Sequence, residues 1–166
     1  MKKRLLWTLL PLTVLGLDWT SKAWILRHLR EGELKPIIPN FFNLWLGYNK
    51  GAIFGSFSSA PEWLRLSLFS IAGVIALFYF GRLFYGENTH GLERTALGLI
   101  LGGALGNGFD RLQHGAVVDF LDFIFWGWHY WAFNLADSAI VCGATLYGLH
   151  LLASKRRSLP SNHRDG

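Results

Sequence analysis

Two aspartates in apolar surroundings are the side chains of this chain best suited to chemistry. Asp119 stands in Val117-Val118-Asp119-Phe120, and Asp137 in Phe133-Asn134-Leu135-Ala136-Asp137-Ser138. A carboxylate held against hydrocarbon loses hydration energy, so its presence there is a functional signal by default. If two such groups lie close together in low dielectric, one keeps a proton and the other stays ionised, because two like charges do not persist at short range. The charged one takes a proton from water, and the neutral one donates to a carbonyl oxygen or a leaving nitrogen. Other chemistries lack residues. The six histidines are scattered, with no metalloprotease-like pair on one helix, and no Gly-x-Ser-x-Gly elbow occurs. Cys142 is the single cysteine, so one chain has neither a disulfide framework nor a thiolate zinc site. No metal and no soluble cofactor are expected.

Further polar residues surround these two along the chain. Asp18 and Lys22 are spaced i and i+4 and read as an ion pair on one helix turn. Asp110 and Arg111 are adjacent, and adjacent residues on a helix do not face one another, so each needs a separate partner in a buried network. Asn134 and Asp137 share a face of a first helical turn, where a carboxylate gains from the macrodipole. The plain structural reading is that one of them caps that helix. Against capping alone stands a coincidence: the helix ends on one side carry Asp18, Asp110 with Asp119, and Asp137, and the opposite ends carry no equivalent set.

The elements that must hold these groups are apolar. The 166 residues are 51% hydrophobic and 16% charged, with mean hydropathy +0.27, too apolar for an ordinary soluble domain. At about 20 residues per crossing the length accommodates roughly four spans in one bundle. The spacing predicts spans over about 5–29, 64–84, 92–109 and 134–153. Together they form a single membrane-embedded domain over 1–153, followed by a polar cytoplasmic tail over 154–166. The third span carries Gly98, Gly102 and Gly106, and the fourth carries Ala139 with Gly143 and Ala144 with Gly148. Such small-residue spacing allows close helix contact, within one chain or between chains.

The net charge of +5 does not call for nucleic acid. Its basic residues gather in Lys2-Lys3-Arg4 and Lys155-Arg156-Arg157 at the two ends, and the positive-inside rule then places both termini in the cytoplasm. Segments 30–63 and 112–131 face outward. The first includes a strand-like aromatic run from Phe41 to Tyr48. The second carries Phe123, Phe125, Trp126, Trp128, Tyr130 and Trp131, aromatics suited to the membrane–water interface.

Five motifs in register give this chain a resemblance to a known family. They are Asp18-Trp19-Thr20-Ser21-Lys22, Asn49-Lys50-Gly51-Ala52-Ile53-Phe54-Gly55, the run from Gly102 to Leu112, Val117-Val118-Asp119-Phe120, and Phe133-Asn134-Leu135-Ala136-Asp137-Ser138. The chain resembles the lipoprotein signal peptidases, the bacterial signal peptidase II enzymes of the inner membrane, and the match covers nearly the whole chain from Leu5 to Ala153. The resemblance implies an aspartyl endopeptidase that removes signal peptides from prolipoproteins, cutting before a diacylglyceryl-modified cysteine. Asp119 and Asp137 match the catalytic pair. Asn107, Arg111 and Asn134 match residues that hold the pair and the substrate backbone, and Asn49, Gly51 and Phe54 fall in a motif that supports the pair or binds substrate. Asp18, Lys22 and Asp110 match structural polar positions. The resemblance also implies an all-α polytopic fold of four transmembrane helices. A small extracytoplasmic β-sheet cradle is built from the first outer segment, and a short mobile helix after Gly55 covers the site. Membrane lipids and globomycin-type cyclic peptides are the further partners it implies.

A different class of function is a small polytopic transporter or proton pathway, whose polar groups would be distributed across the bilayer. Here they gather at one side, and the second span carries no charge from Leu66 to Gly81. A scaffold whose polar groups only fix helix packing is a third class.

Overall fold

A computed structural model of the chain describes residues 2–50, 61–89 and 91–158. Four long helices account for most of it: α1 over Lys2–His28, α2 over Glu62–Phe84, α3 over Gly91–His114 and α4 over Leu135–Ser158. Four strands join them, β1 over Leu34–Ile38, β2 over Phe42–Asn49, β3 over Val117–Phe125 and β4 over Trp128–His129. The helices coincide with the apolar stretches of the sequence. The third runs five residues past Phe109, to His114, and carries Asp110 and Arg111 as adjacent helical residues, as expected. The fourth continues beyond Ala153 into the basic segment.

Helix α3 lies at the centre and packs against the other three helices. Its glycines explain how. A Cβ on Gly102 would lie 2.8 Å from the Pro11 carbonyl oxygen and 2.6 Å from the Val14 side chain of α1. On the opposite side Gly143 of α4 meets the Ala96 carbonyl oxygen, where a Cβ would sit at 2.6 Å. Gly102 and Gly143 thus let α1 and α4 come close to α3 within the chain, whereas a Cβ on Gly148 would meet nothing within 4 Å. Helix α2 packs on α3 and leaves Ile71, Val74, Ile75 and Phe78 exposed. Two helices, Trp63–Phe84 and Leu135–Lys155, are long and apolar enough to cross a membrane by length and composition. The other two carry Asp18, Lys22, Asp110 and Arg111, all drawn into the interior of the bundle end or its cavity.

The strands form one antiparallel sheet in the order β1-β2-β3-β4. The sheet corrects one expectation: it is built from both outer segments, and the second supplies β3. Strand β3 shows why. In Val118-Asp119-Phe120-Leu121 the side chains alternate between faces. Val118 and Phe120 are buried against Ile25 of α1, Leu29 just after it and Leu46 of β2, which leaves Asp119 on the other face. Opposite Asp119 in the ladder stands Gly47, and the space a Cβ would need there is filled by the Trp45 ring. Strands β3 and β4 turn through Trp126 and Gly127, both at positive φ, as a tight two-residue hairpin requires. Trp126 is 98% exposed at its tip.

Candidate active site

The two aspartates arrive from different elements. Asp119 comes from the middle of β3, and Asp137 from the first turn of α4. Asn134 joins them. Fully buried just before α4, it donates from Nδ2 to Asp119 Oδ1 at 2.8 Å and to the Val118 carbonyl oxygen at 3.2 Å. Its Oδ1 accepts from the Asp137 backbone N–H at 2.8 Å, while its own N–H donates to Asp137 Oδ2 at 3.2 Å. This is a reciprocal capping box, with Asn134 as the cap and Asp137 three residues on. The capping reading is therefore correct as local structure, and the same cap carries one aspartate to the other.

Amides complete the surroundings. Asn49 Nδ2 donates to Asp119 Oδ2 at 3.0 Å, and Asn107 Nδ2 donates to Asp137 Oδ1 at 2.7 Å. Asp119 thus accepts hydrogen bonds only from neutral side chains among the described residues. Burial, aided by the neighbouring charge of Asp137, pushes its carboxyl from 3.8 up to about 7, against the lowering effect of the two amides. Arg111 donates from Nη1 to the Asn107 carbonyl oxygen at 3.1 Å. It lies over the Phe69 ring of α2 at 5.9 Å and interacts electrostatically with Asp137 and Asp119.

The motif polar residues Asp18, Lys22 and Asp110 sit behind this pair. Lys22 Nζ is 2.7 Å from Asp18 Oδ2 and 2.8 Å from Asp110 Oδ2, and all three residues are buried. Asp18 Oδ1 accepts from the Ala136 N–H at 2.9 Å, and Asp110 Oδ2 accepts from the Val118 N–H at 2.9 Å. The trio therefore pins the start of α4 and the start of β3, the two backbones that carry the aspartates. The expected Asp18–Lys22 pair is present, and Asp110 finds its separate partner in Lys22. Gly51, Phe54 and the expected helix after Gly55 lie outside the described residues.

A cavity of about 1040 Å³ opens over Asp119 and Asp137. Its walls include Trp45 and Asn49 of β2, Arg65 of α2, Phe133 ahead of α4, and Val141 and Cys142 on α4. Sequence reasoning missed Trp45 and Arg65. Trp45 lay within an aromatic run with nothing to single it out, whereas Arg65, a lone cation at the head of an otherwise apolar helix, carried a readable signal. It also missed a second polar cluster, in which buried Asp122 accepts from Asn43 Nδ2 at 2.7 Å and meets His129 Nδ1 at 2.9 Å. Asn43 and Asp122 are ladder partners, a relation that depends on strand register. Among the described residues no three His, Cys, Asp or Glu side chains converge as metal ligands would.

Comparison with known proteins identifies the family. The family model for signal peptidase (SPase) II matches residues 10–153. The chain is 43% identical over 140 residues to a lipoprotein signal peptidase of Serratia proteamaculans, covering 84% of this chain and 82% of that protein. It is 46% identical to a lipoprotein signal peptidase of Burkholderia vietnamiensis over 84% of this chain and 83% of that protein. A solved structure described as a bacterial membrane enzyme, determined by the in meso method at 2.3 Å resolution, superposes with a TM-score of 0.78. It is 29% identical, with 94% of this chain and 93% of that one covered. The chain is thus a membrane protein, and it belongs to the signal peptidase II family.

Proposed function

We propose that this protein is a membrane aspartyl endopeptidase that removes the signal peptide from prolipoproteins, cleaving before the diacylglyceryl-modified cysteine. The observation that carries the proposal is the joining of Asp119 and Asp137 by Asn134 at the floor of one cavity. In the reaction Asp119, with its carboxyl near 7, holds a proton and donates it to the scissile carbonyl oxygen. Asp137 acts as the base, its carboxylate accepting from the Asn134 N–H and the Asn107 amide at the first turn of α4. It takes a proton from water as the water oxygen bonds to the carbonyl carbon. That proton then passes to the leaving nitrogen as the peptide bond breaks, and a hydroxyl of the gem-diol returns a proton to Asp119 as the new carboxyl group forms. Arg111 and the asparagines orient the scissile segment.

The same reading assigns four crossings to α1–α4, both termini to the cytoplasm, and the sheet with its exposed aromatics to the extracytoplasmic face of the inner membrane. Residues 1–153 act as one domain. Globomycin-type cyclic peptides compete for the cavity, whose described walls mix polar groups with aromatic and aliphatic ones. A lipid-modified peptide reaches such a site from within the bilayer, and water enters from the polar side.

The test is a gel-shift assay on a purified diacylglyceryl-modified prolipoprotein. The parent cleaves it, with or without chelator, and Asp119→Asn and Asp137→Asn each lose at least about a thousandfold while keeping the parent's elution profile. Full activity in either variant would remove that aspartate from the reaction.

A further inference from the structure

Arg65 is the one cation of α2 that lines the cavity, and it has no evident structural task. Its residue is partly buried, its Nε is fully buried without a hydrogen-bond partner, and no carboxylate among the described residues pairs with it. A buried donor left open is unfavourable unless something else fills it. Phe69, one helical turn further along α2, lies under the Arg111 guanidinium. The face of α2 that carries Arg65 therefore borders the cavity that Asn49, Asp119 and Asp137 also line.

Depth decides what Arg65 meets. Helix α2 has 23 residues, about 34 Å at 1.5 Å per residue, which is little more than the roughly 30 Å of hydrocarbon. Arg65 lies three residues from its start, about 4.5 Å along the axis, so it stands where the glycerol esters of a bilayer lipid lie. Beyond it, Val141 and Cys142 continue the opposite wall of the cavity one turn past Asp137 and Ser138, a surface fit for acyl chains. The amides and Arg111 already supply the donors beside the aspartates.

We infer that Arg65 is a substrate-binding residue that donates hydrogen bonds to the ester carbonyl oxygens of the diacylglyceryl group, holding the lipid half of the substrate while the peptide half lies over the aspartates. The inference rests on the peptidase reading above and names how the site selects a lipidated cysteine. A guanidinium suits the task because its fork of donors is planar and weakly hydrated.

The experiment measures binding and cleavage separately, with two lipopeptides that differ only at glycerol: one carries two ester-linked chains and the other two ether-linked chains. Arg65→Gln weakens binding of the diester about tenfold, the loss of a charge-assisted hydrogen bond, and leaves the diether within about twofold of the parent. Arg65→Lys restores part of the diester affinity, and Arg82→Gln, at the other end of the same helix, changes neither. Equal weakening toward both lipopeptides would assign Arg65 to the peptide or to general folding and overturn the inference. No change toward either would mean that the side chain only reaches for lipid headgroups, which overturns it as well. A parent that binds the diester without cleaving it would sink the peptidase reading alone; a parent that binds neither would sink both.

Discussion

Two sets of buried aspartates lie side by side in this protein and are treated in opposite ways. Asp18 and Asp110 share Lys22, whose Nζ stands 2.7 and 2.8 Å from them. Each also accepts a backbone N–H, Asp18 through its other oxygen at the start of α4 and Asp110 through the same Oδ2 at the start of β3. Asp119 receives two amides instead and no cation at hydrogen-bond distance among the described residues. Carboxylates drawn to one ammonium organise the backbone around them. A carboxylate held by neutral dipoles beside a second carboxylate can gain or lose its proton near neutral pH. Residue type is the same in both places, and the partner decides whether the group builds or reacts.

The contrast is sharpest in activity against stability. Asp119→Asn should abolish cleavage and leave the fold, whereas Lys22→Met should unfold what Asp119→Asn spares. Removing one member of a buried ion pair leaves the others uncompensated and costs about 3–5 kcal/mol. Thermal melts in detergent check this, and a Lys22→Met variant as stable as the parent would erase the distinction between the two sets.

The pH response comes next in size. Because the Asp119 carboxyl stands near 7 in the folded chain against 3.8 outside it, the folded state binds more protons between these values. Stability contributed by the protonated form is therefore complete below about 4 and is lost as pH rises through about 7. The shift bounds the loss at about 4 kcal/mol. Melting temperature followed from pH 4 to 8 should fall more steeply for the parent than for Asp119→Asn. Parallel curves would mean that Asp119 has no raised carboxyl, and the partner rule would lose its main support.

The smallest effect concerns the helices that bring the two sets together. Gly102→Leu drives a side chain into Pro11 and Val14 and should destabilise by about 1–3 kcal/mol. Gly73→Leu, on α2 where a Cβ meets nothing within 4 Å, serves as the neutral control. If both melt alike, the close approach of α1 to α3 contributes nothing to holding Asp18 beneath α4.

The apolar helices, the two aspartates in apolar surroundings and the Asp18–Lys22 pair were all legible in the order of residues. Each depends on local pattern: long runs of apolar residues, charges placed where charge is unfavourable, and i to i+4 spacing on one helix. The five motifs also carried the family, because their order survives without any knowledge of contact. Tertiary structure alone decided that Asp119 lies on a strand, that β3 from the second outer segment completes the sheet, and that Lys22 serves Asp110 as well as Asp18. It alone brought Arg65 into the cavity and Asn43 beside Asp122. These are contacts between residues tens of positions apart, set by strand register and by the glycine-permitted approach of α3 to its neighbours. No periodicity along one segment encodes which distant segment will lie against it.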